Sequence, residues 1–256
     1  MPQPPLLSAR SLVRSFSGLR AVDGMSIELV SGEMVGLIGP NGAGKTTLFN
    51  LIAGTLRPDG GAIHLGEADL THVGPERRLK AGLGRTFQIP RPFGEMTVLE
   101  NVLTAVQNQT GERMLANIFL PGRIAREERR SVERALEILD FLSLSRLAGE
   151  PARVLSGGQR KLLELARVLI TEPKVILLDE PAAGVNPALL DLIIDRIAEI
   201  NRRGITILLI EHNMEMIQRL CSRVVVMAQG SLLAEGRPAD IARDEQVVGA
   251  YLGEPA

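Results

Sequence analysis

The chain has 256 residues, with 29 basic and 30 acidic side chains and a formal net charge of −1. This balance argues against a protein whose main task is to wrap nucleic acid, because such proteins need a basic surface. Its 45% hydrophobic and 23% charged residues are typical of a globular chain and argue against disordered and fibrous classes. The length predicts one domain or at most two, and the single cysteine, Cys221, excludes a disulfide framework and favours a reducing compartment.

The first residues and the apolar runs predict neither a targeting segment nor a membrane span. The start, Met-Pro-Gln-Pro-Pro, lacks both a basic n-region and an apolar h-region. The longest apolar runs have the length of a strand, well below the roughly 18 residues of a membrane-spanning helix. We therefore expect any action at a membrane to take place from the cytosolic side, through a partner.

Four continuous apolar runs rich in Val and Ile alternate with helical stretches, as in an α/β sheet. They are Met34–Ile38, Val175–Leu178, Ile205–Ile210 and Val224–Met227. Strands of this kind are covered on both faces, and ligands of open α/β sheets bind at the carboxyl ends of the strands. Because a polar cluster follows each of the first three runs, we expect the functional site there.

Helical periodicity replaces the strand runs in the middle of the chain. Thr97, with Glu100 three residues later, predicts a capping box at the start of a helix. One apolar stripe is predicted further along, formed by Val132, Ala135, Leu136, Leu139 and Leu142. We predict a helical subdomain of about 88–155, inserted into an α/β domain that comprises about 1–87 and 156–256.

A glycine-rich segment follows the first apolar run. It consists of Gly39, Pro40, Asn41, Gly42, Ala43, Gly44, Lys45 and Thr46, with Thr47 next. This is P-loop spacing, in which glycines let backbone N–H groups converge on phosphate and the following helix adds a favourable dipole. We expect Lys45 to reach the β- and γ-phosphates and the Thr46 hydroxyl to bind Mg²⁺. Gly54 predicts the end of that helix, and this strand and helix context disfavours a chance glycine turn.

The second apolar run leads into Asp179, Glu180 and Pro181. A strand that delivers an acid at its carboxyl end is the Walker B arrangement, in which Asp179 holds Mg²⁺ directly or through water. Glu180 is then expected to polarise and orient the attacking water. Taken alone, the three residues are also compatible with a simple turn, so this interpretation depends on the P-loop that precedes them.

A second phosphate-binding surface is predicted after Leu155. Its residues are Ser156, Gly157, Gly158 and Gln159, at the start of a helix that runs to about Ile170. Ser156 is a good N-cap, and the glycines leave backbone amides accessible at the positive end of the helix. A plain capped helix is the alternative. Since one P-loop already supplies what one nucleotide needs, we interpret this surface as serving the nucleotide of another subunit.

The order of these segments, a P-loop, then Leu-Ser-Gly-Gly-Gln, then a strand that ends in Asp-Glu-Pro, resembles the ABC ATPases over nearly the whole chain. The resemblance implies an α/β fold with a RecA-like P-loop NTPase core, an N-terminal antiparallel β subdomain and an inserted α-helical subdomain. It also implies a head-to-tail dimer with a second ABC ATPase subunit. ATP and Mg²⁺ are then expected between the P-loop of one subunit and the Ser156–Gln159 segment of the other.

The resemblance further implies roles for four residues. Gln88 is similar to the Q-loop glutamine that contacts Mg²⁺ and the attacking water, and His212 is similar to the switch histidine that contacts the γ-phosphate. Phe16 resembles the aromatic residue that stacks on adenine, with Val22 near it. A core phenylalanine in an N-terminal strand is an equally good interpretation of Phe16.

Asn186 stands where the D-loop of the family usually has Asp. Its amide can keep hydrogen bonds across a dimer but cannot carry a charge. Asn186 followed by Pro187 also predicts the N-cap and first residue of a helix.

Further segments resemble the ATP-binding subunits of branched-chain amino acid importers. They are Arg85-Thr-Phe-Gln88, the insert after Gln107, Ala183–Pro187, Glu211–Met214 and the ending Ala250–Glu254. This resemblance implies ATP hydrolysis coupled to uptake through separate transmembrane permease subunits, and indirectly through an extracytoplasmic solute-binding protein. The expected place is the cytoplasmic face of the plasma (inner) membrane. Relatives that serve urea or short amides share most of these features and are the alternative.

Two other classes are weighed against this one. A non-transport ABC ATPase that acts on ribosomes or DNA usually has two cassettes in one chain or long coiled-coil arms, and neither fits this length and charge. A P-loop kinase or regulatory GTPase is disfavoured by the Ser156–Gln159 segment.

Overall fold

The computed structural model describes residues 4–86, 91–112 and 120–252. The chain divides into two compact units, of which the first comprises Met1–Arg85, Lys174–Ala183 and Ile197–Ala256. The second comprises Thr86–Pro173 and Gly184–Arg196. The second unit therefore extends beyond the helical insert predicted at about 88–155.

The strands and helices follow one another in the order expected of an α/β chain with a helical middle. In chain order they are β1 (Leu7–Phe16), β2 (Leu19–Leu29), β3 (Met34–Ile38), α1 (Lys45–Ala53), β4 (Gly60–Leu65), β5 (Ala68–Asp69), α2 (Pro75–Ala81), β6 (Leu83–Arg85), α3 (Val98–Leu103), α4 (Pro121–Phe141), α5 (Gly157–Leu169), β7 (Val175–Asp179), α6 (Pro187–Arg202), β8 (Thr206–Ile210), α7 (Met214–Leu220), β9 (Arg223–Ala228), β10 (Ser231–Gly236), α8 (Pro238–Ile241) and α9 (Glu245–Leu252).

The first unit contains a six-stranded sheet in the order β10-β9-β3-β8-β7-β6. β3 pairs in parallel with β8 and β9, and β7 pairs in parallel with β6 and β8. Every residue of β3, β7 and β8 is buried, as expected for strands covered on both faces. The four apolar runs are thus confirmed as strands, and the first three lie side by side with their carboxyl ends at one edge.

A second, antiparallel sheet in the same unit has the order β2-β1-β4-β5. One apolar core joins this sheet to α1 and to the six-stranded sheet. Its members include Leu12 of β1, Ile63 of β4, Phe49 of α1 and Leu177 of β7. The N-terminal antiparallel β subdomain and the α/β core that the resemblance implies are both present.

Glycines mark both ends of α1. Gly44 precedes it with φ 97°, and Gly54 follows it with φ 81° and donates its backbone N–H to Leu51 O. Both conformations are left-handed, where residues with a Cβ are strained. The predicted end of this helix at Gly54 is confirmed.

The second unit is helical. The capping box predicted from Thr97 and Glu100 is confirmed at the start of α3, where each residue binds the backbone N–H of the other. In the predicted stripe, Ala135, Leu139 and Leu142 are buried, but Leu136 is 42% exposed. The prediction is wrong for Leu136 because positions i, i+4 and i+7 form a narrow stripe, and residue i+1 lies about 100° away round the helix.

Arg78 is the largest fully buried side chain of the described residues, with 1% of its surface exposed. Its guanidinium donates hydrogen bonds to backbone carbonyl oxygens of Leu51, Ile52, Leu70, Thr71 and Val73. Two of these carbonyls belong to the last turn of α1, where a positive charge is favourable. Burial lowers the pKa of Arg78 to about 10, and Asp69 opposes that shift, so the side chain remains charged at neutral pH.

Replacing Arg78 with Met should therefore destabilise the first unit, because several buried carbonyls would lose their donor. We expect the free energy of unfolding to fall by about 3 kcal/mol or more, measured from denaturant unfolding. Arg77→Met is the matched control, since Arg77 lies on the same helix but is exposed, and it should change stability by less than about 0.5 kcal/mol. Equal unfolding midpoints for the two variants would show that the carbonyl contacts of Arg78 contribute nothing.

Candidate active site

The predicted P-loop forms a tight turn between β3 and α1. Gly39, Gly42 and Gly44 have φ values of 149°, 81° and 97°. A Cβ at Gly39 would lie 2.1 Å from Met227 O, and a Cβ at Gly44 would lie 2.1 Å from Ala21 O. Both positions therefore require glycine for space as well as for conformation. At Gly42, no described atom beyond its two chain neighbours lies within 4 Å of the Cβ position, so this part of the turn faces open space.

Lys45 is the first residue of α1 and is only 7% exposed. Its Nζ donates to Gly39 O at 2.7 Å and to Pro40 O at 2.9 Å. Burial lowers the pKa of Lys45, and the Glu180 carboxylate raises it. Because both acceptors are neutral, a phosphate group that displaced them would stabilise the buried ammonium.

The other residues of the glycine-rich segment lie in the loop between β3 and α1 and in the first turn of α1. Asn41, Gly42 and Thr46 are exposed, Pro40 and Thr47 are half-buried, and Ala43 is buried. Ala43 N–H donates to Pro40 O at 3.2 Å, and Ala43 O accepts from Gly230 N–H at 3.0 Å. The loop is therefore tied down from inside while Asn41, Gly42 and Thr46 remain accessible.

Asp179 is the last residue of β7 and is 4% exposed. Its Oδ2 accepts a hydrogen bond from Arg85 Nη2 at 3.0 Å, and Arg85 Nη1 donates to Asn50 Oδ1 at 2.6 Å. Arg85 thus joins the end of β6 to α1 and to the end of β7. Sequence reasoning gave Arg85 no role of its own, although a cation at the end of a strand could have indicated a partner for the buried acid.

Glu180 and His212 follow neighbouring strands and lie close together. Glu180 has φ 48°, and its backbone N–H donates to Ile210 O at 3.0 Å. His212 Nε2 lies 3.4 Å from Glu180 Oε1. The left-handed backbone at Glu180 is a strained conformation for a residue other than glycine, and such conformations often occur at functional positions.

Glu211 is a site residue that sequence reasoning missed. It is 3% exposed, and its Oε1 accepts from Ala182 N–H at 2.6 Å. Its Oε2 accepts from the backbone N–H groups of His212 at 2.9 Å and Asn213 at 3.1 Å. This carboxylate therefore connects the segment after β7, which carries Glu180, to the segment after β8, which carries His212. An acid between a buried strand and a histidine was the available signal.

The Ser156–Gln159 segment belongs to the second unit. Ser156 caps α5: its Oγ accepts from Gln159 N–H at 3.3 Å, and Gln159 Oε1 accepts from Ser156 N–H at 2.9 Å. The predicted N-cap is confirmed, with Gln159 completing a capping box. Gly157 is exposed, whereas Gly158 is buried, and a Cβ there would lie 2.2 Å from Leu189 Cδ2.

Asn186 caps α6, because its Oδ1 accepts from Leu189 N–H at 2.9 Å and the helix begins at Pro187. The predicted helix start at these two residues is confirmed. The side chain of Asn186 is thus occupied in this structure as a cap.

Phe16 lies at the end of β1 and is 41% exposed, with the Arg14 guanidinium carbon 4.9 Å from the centre of its ring. Its interpretation as a core phenylalanine is therefore wrong. Val22 on β2 is fully buried in the core, so in this structure it presents no surface to a ligand. Gln88 lies outside the described residues.

Two negative findings apply to the described ranges. None of their helices is long and apolar enough to cross a membrane. No group of three or more His, Cys, Asp or Glu side chains within them could hold a metal ion.

The amino-acid sequence of the chain is similar to two known families and to known transport proteins. Residues 22–183 match the family described as ABC transporter, and residues 231–256 match the family described as branched-chain amino acid ATP-binding cassette transporter. The chain is 40% identical to a probable branched-chain amino acid transport ATP-binding protein LivG of Archaeoglobus fulgidus, over 97% of this chain and 95% of that protein. It is 41% identical to the high-affinity counterpart from Salmonella typhimurium, over 98% of each chain.

The fold of the chain is also similar to solved structures of ATP-binding cassettes. A nucleotide-free ATP-binding cassette from an ABC transporter is 40% identical, with a TM-score of 0.85 over 98% of this chain and 100% of the other. The ADP conformation of another ATP-binding cassette is 37% identical, with a TM-score of 0.83 over 98% and 100% of the two chains.

The fold, the glycine-rich turn before α1 and the acid at the end of β7 define a P-loop ATPase. Within that class, the chain belongs to the ABC transporter family.

The bridging role of Glu211 gives a direct prediction. Glu211→Ala removes the acceptor of three backbone N–H groups, so we expect the amides of Ala182 and Asn213 to exchange with solvent at least about tenfold faster. Hydrogen exchange of the purified protein measures this. Glu215→Ala is the control, because Glu215 is exposed on α7 and should leave both amides unchanged. Unaltered protection in Glu211→Ala would show that its carboxylate does not hold these segments.

Proposed function

We propose that the chain is the ATP-binding and ATP-hydrolysing subunit of an importer for branched-chain amino acids. One observation carries the proposal: Lys45, Asp179, Glu180 and His212 all lie at the carboxyl ends of adjacent buried strands or just after them, beside a tight turn rich in glycine. The matches of residues 22–183 and 231–256 support the family, and the names of the relatives support the solute.

The chain's own residues supply the terms that phosphoryl transfer needs, namely positioning and charge neutralisation. Backbone N–H groups of the loop from Asn41 to Thr47 bind the phosphates, and Lys45 moves from its two carbonyl partners to the β- and γ-phosphates. Glu180 orients the attacking water, and His212 contacts the γ-phosphate. Phe16, exposed at the end of β1, stacks on adenine.

The residues present suit Mg²⁺, which prefers oxygen ligands and keeps several waters. The carboxylate of Asp179 and the hydroxyl of Thr46 are the oxygen donors, and Gln88 of the Q-loop adds an amide oxygen. When bound, Mg²⁺ neutralises charge on the phosphates. Arg85 holds the Asp179 carboxylate in one orientation through its 3.0 Å hydrogen bond.

A second ABC ATPase subunit, either another copy or a related chain, completes each site. Its Ser156–Gln159 segment presents the positive end of a capped helix to the γ-phosphate. Binding of ATP closes the dimer and hydrolysis reopens it, because ATP has a higher affinity for the closed state. Transmembrane permease subunits follow this cycle at the cytoplasmic face of the membrane, and an extracytoplasmic solute-binding protein delivers the solute to them.

Glu180→Gln tests the catalytic assignment. The amide cannot accept a proton from water, so we expect ATP hydrolysis to fall by about 10²-fold or more while ATP still binds. Lys45→Ala is the complementary variant, in which nucleotide affinity itself should fall. Initial hydrolysis rates and equilibrium binding of a fluorescent ATP analogue distinguish the two effects, and size-exclusion chromatography should show an ATP-dependent dimer of Glu180→Gln. Hydrolysis by Glu180→Gln at the rate of the unmodified protein would refute the role of Glu180.

The solute is tested by transport. We expect vesicles that contain the chain with its permease subunits to take up leucine when ATP is enclosed and the solute-binding protein is added outside. The same vesicles made with Glu180→Gln should take up none, because transport is coupled to hydrolysis. Uptake of urea or a short amide in preference to leucine would favour the alternative importer class and leave the ATPase assignment intact.

A further inference from the structure

The C-terminal helix α9 has no part in the proposed cycle, although residues 231–256 match a family of their own. It is anchored at its start. Asp244 Oδ1 accepts from the N–H groups of Gln246 at 2.9 Å and Val247 at 3.2 Å, and the Val247 side chain is buried. A capped start and a buried apolar contact fix the direction in which the helix runs.

The far end of α9 reaches the P-loop. Tyr251 Oη accepts a hydrogen bond from the backbone N–H of Gly39 at 2.8 Å. Gly39 is buried at the point where β3 turns into the loop. A buried N–H group without a partner is costly, so the phenol hydroxyl meets a requirement of the loop that residues near Gly39 in the sequence do not meet here.

The same glycine is held on its other side by Lys45. Gly39 O accepts from Lys45 Nζ at 2.7 Å, and the space beside Gly39 is closed by Met227 O. In the proposed function, Lys45 Nζ gives up its hydrogen bond to Gly39 O when it binds the phosphates of ATP. The hydrogen bond from Gly39 N–H to Tyr251 then remains, and it holds the first residue of the loop in place.

We propose that Tyr251 is a positioning residue of the nucleotide site, through which the C-terminal helix α9 holds the start of the P-loop. This inference rests on the proposed function of that loop as the ATP site. Coupling between two sites is reciprocal: if α9 favours the nucleotide-binding form of the loop, bound nucleotide stabilises α9 to the same extent.

Tyr251→Phe isolates the hydroxyl, because it keeps the ring and removes only the acceptor of Gly39 N–H. We expect the KM for ATP and the Kd of a non-hydrolysable ATP analogue to rise by about tenfold, with kcat changed less than about twofold. Leu252→Ala is the matched control, since Leu252 is the neighbouring residue and 75% exposed, and it should change neither constant.

Hydrogen exchange gives a second reading that a merely structural role would not produce. In the unmodified protein, the ATP analogue should slow amide exchange within α9, and in Tyr251→Phe this protection should be lost. The measurement on the unmodified protein stands even where the variant fails to fold. Unchanged affinity in a folded Tyr251→Phe, or α9 exchange in the unmodified protein that ignores nucleotide, overturns the role of Tyr251.

Different results would overturn the proposed ATPase function and the proposed role of Tyr251. An unmodified protein that neither binds nor hydrolyses ATP overturns the proposed function and, with it, this inference. An unmodified protein that hydrolyses ATP, together with a Tyr251→Phe variant of equal KM, overturns only the inference about α9.

Discussion

Parallel pairing of β3, β8 and β7 is the constraint on which the candidate site depends. Parallel strands present their carboxyl ends at one edge, and these three are neighbours in the sheet. Lys45, His212 and Glu180, far apart in the sequence, therefore lie just beyond adjacent strand ends. Every residue of the three strands is buried, as expected for parallel strands covered on both faces.

Buried charges at this edge are each provided with partners. Asp179 has Arg85, Glu211 has three backbone N–H groups, and Lys45 has two carbonyl oxygens. An ionised group removed from water without such partners would cost several kcal/mol. Arg85 compensates the charge of Asp179, and three backbone N–H groups compensate that of Glu211. These acidic groups can therefore lie where a negatively charged nucleotide is proposed to bind.

Local sequence signals predicted the parts of the fold that depend on neighbours in the chain. Gly54, Thr97 with Glu100, Ser156 and Asn186 all cap helices as expected, because capping involves residues three or four apart. The four apolar runs were also predictable from residues adjacent in the sequence, because runs rich in Val and Ile favour strands covered on both faces. The predicted burial of Leu136 was wrong because helical spacing alone does not determine how wide the buried stripe is.

The contacts of Arg85, Glu211 and Tyr251 could not be predicted in that way. Their partners lie 94, 29 and 212 residues away, and only the order of strands in the sheet brings them together. Each of the three is polar, lies at the end of an element or just beyond it, and satisfies a group that burial would otherwise leave without a partner. The motifs thus identify the residues expected to touch the nucleotide, while the residues that hold those motifs in place emerge from the topology. For this chain, that second set includes the C-terminal helix, which ties the last described turn of the protein to the first residue of its P-loop.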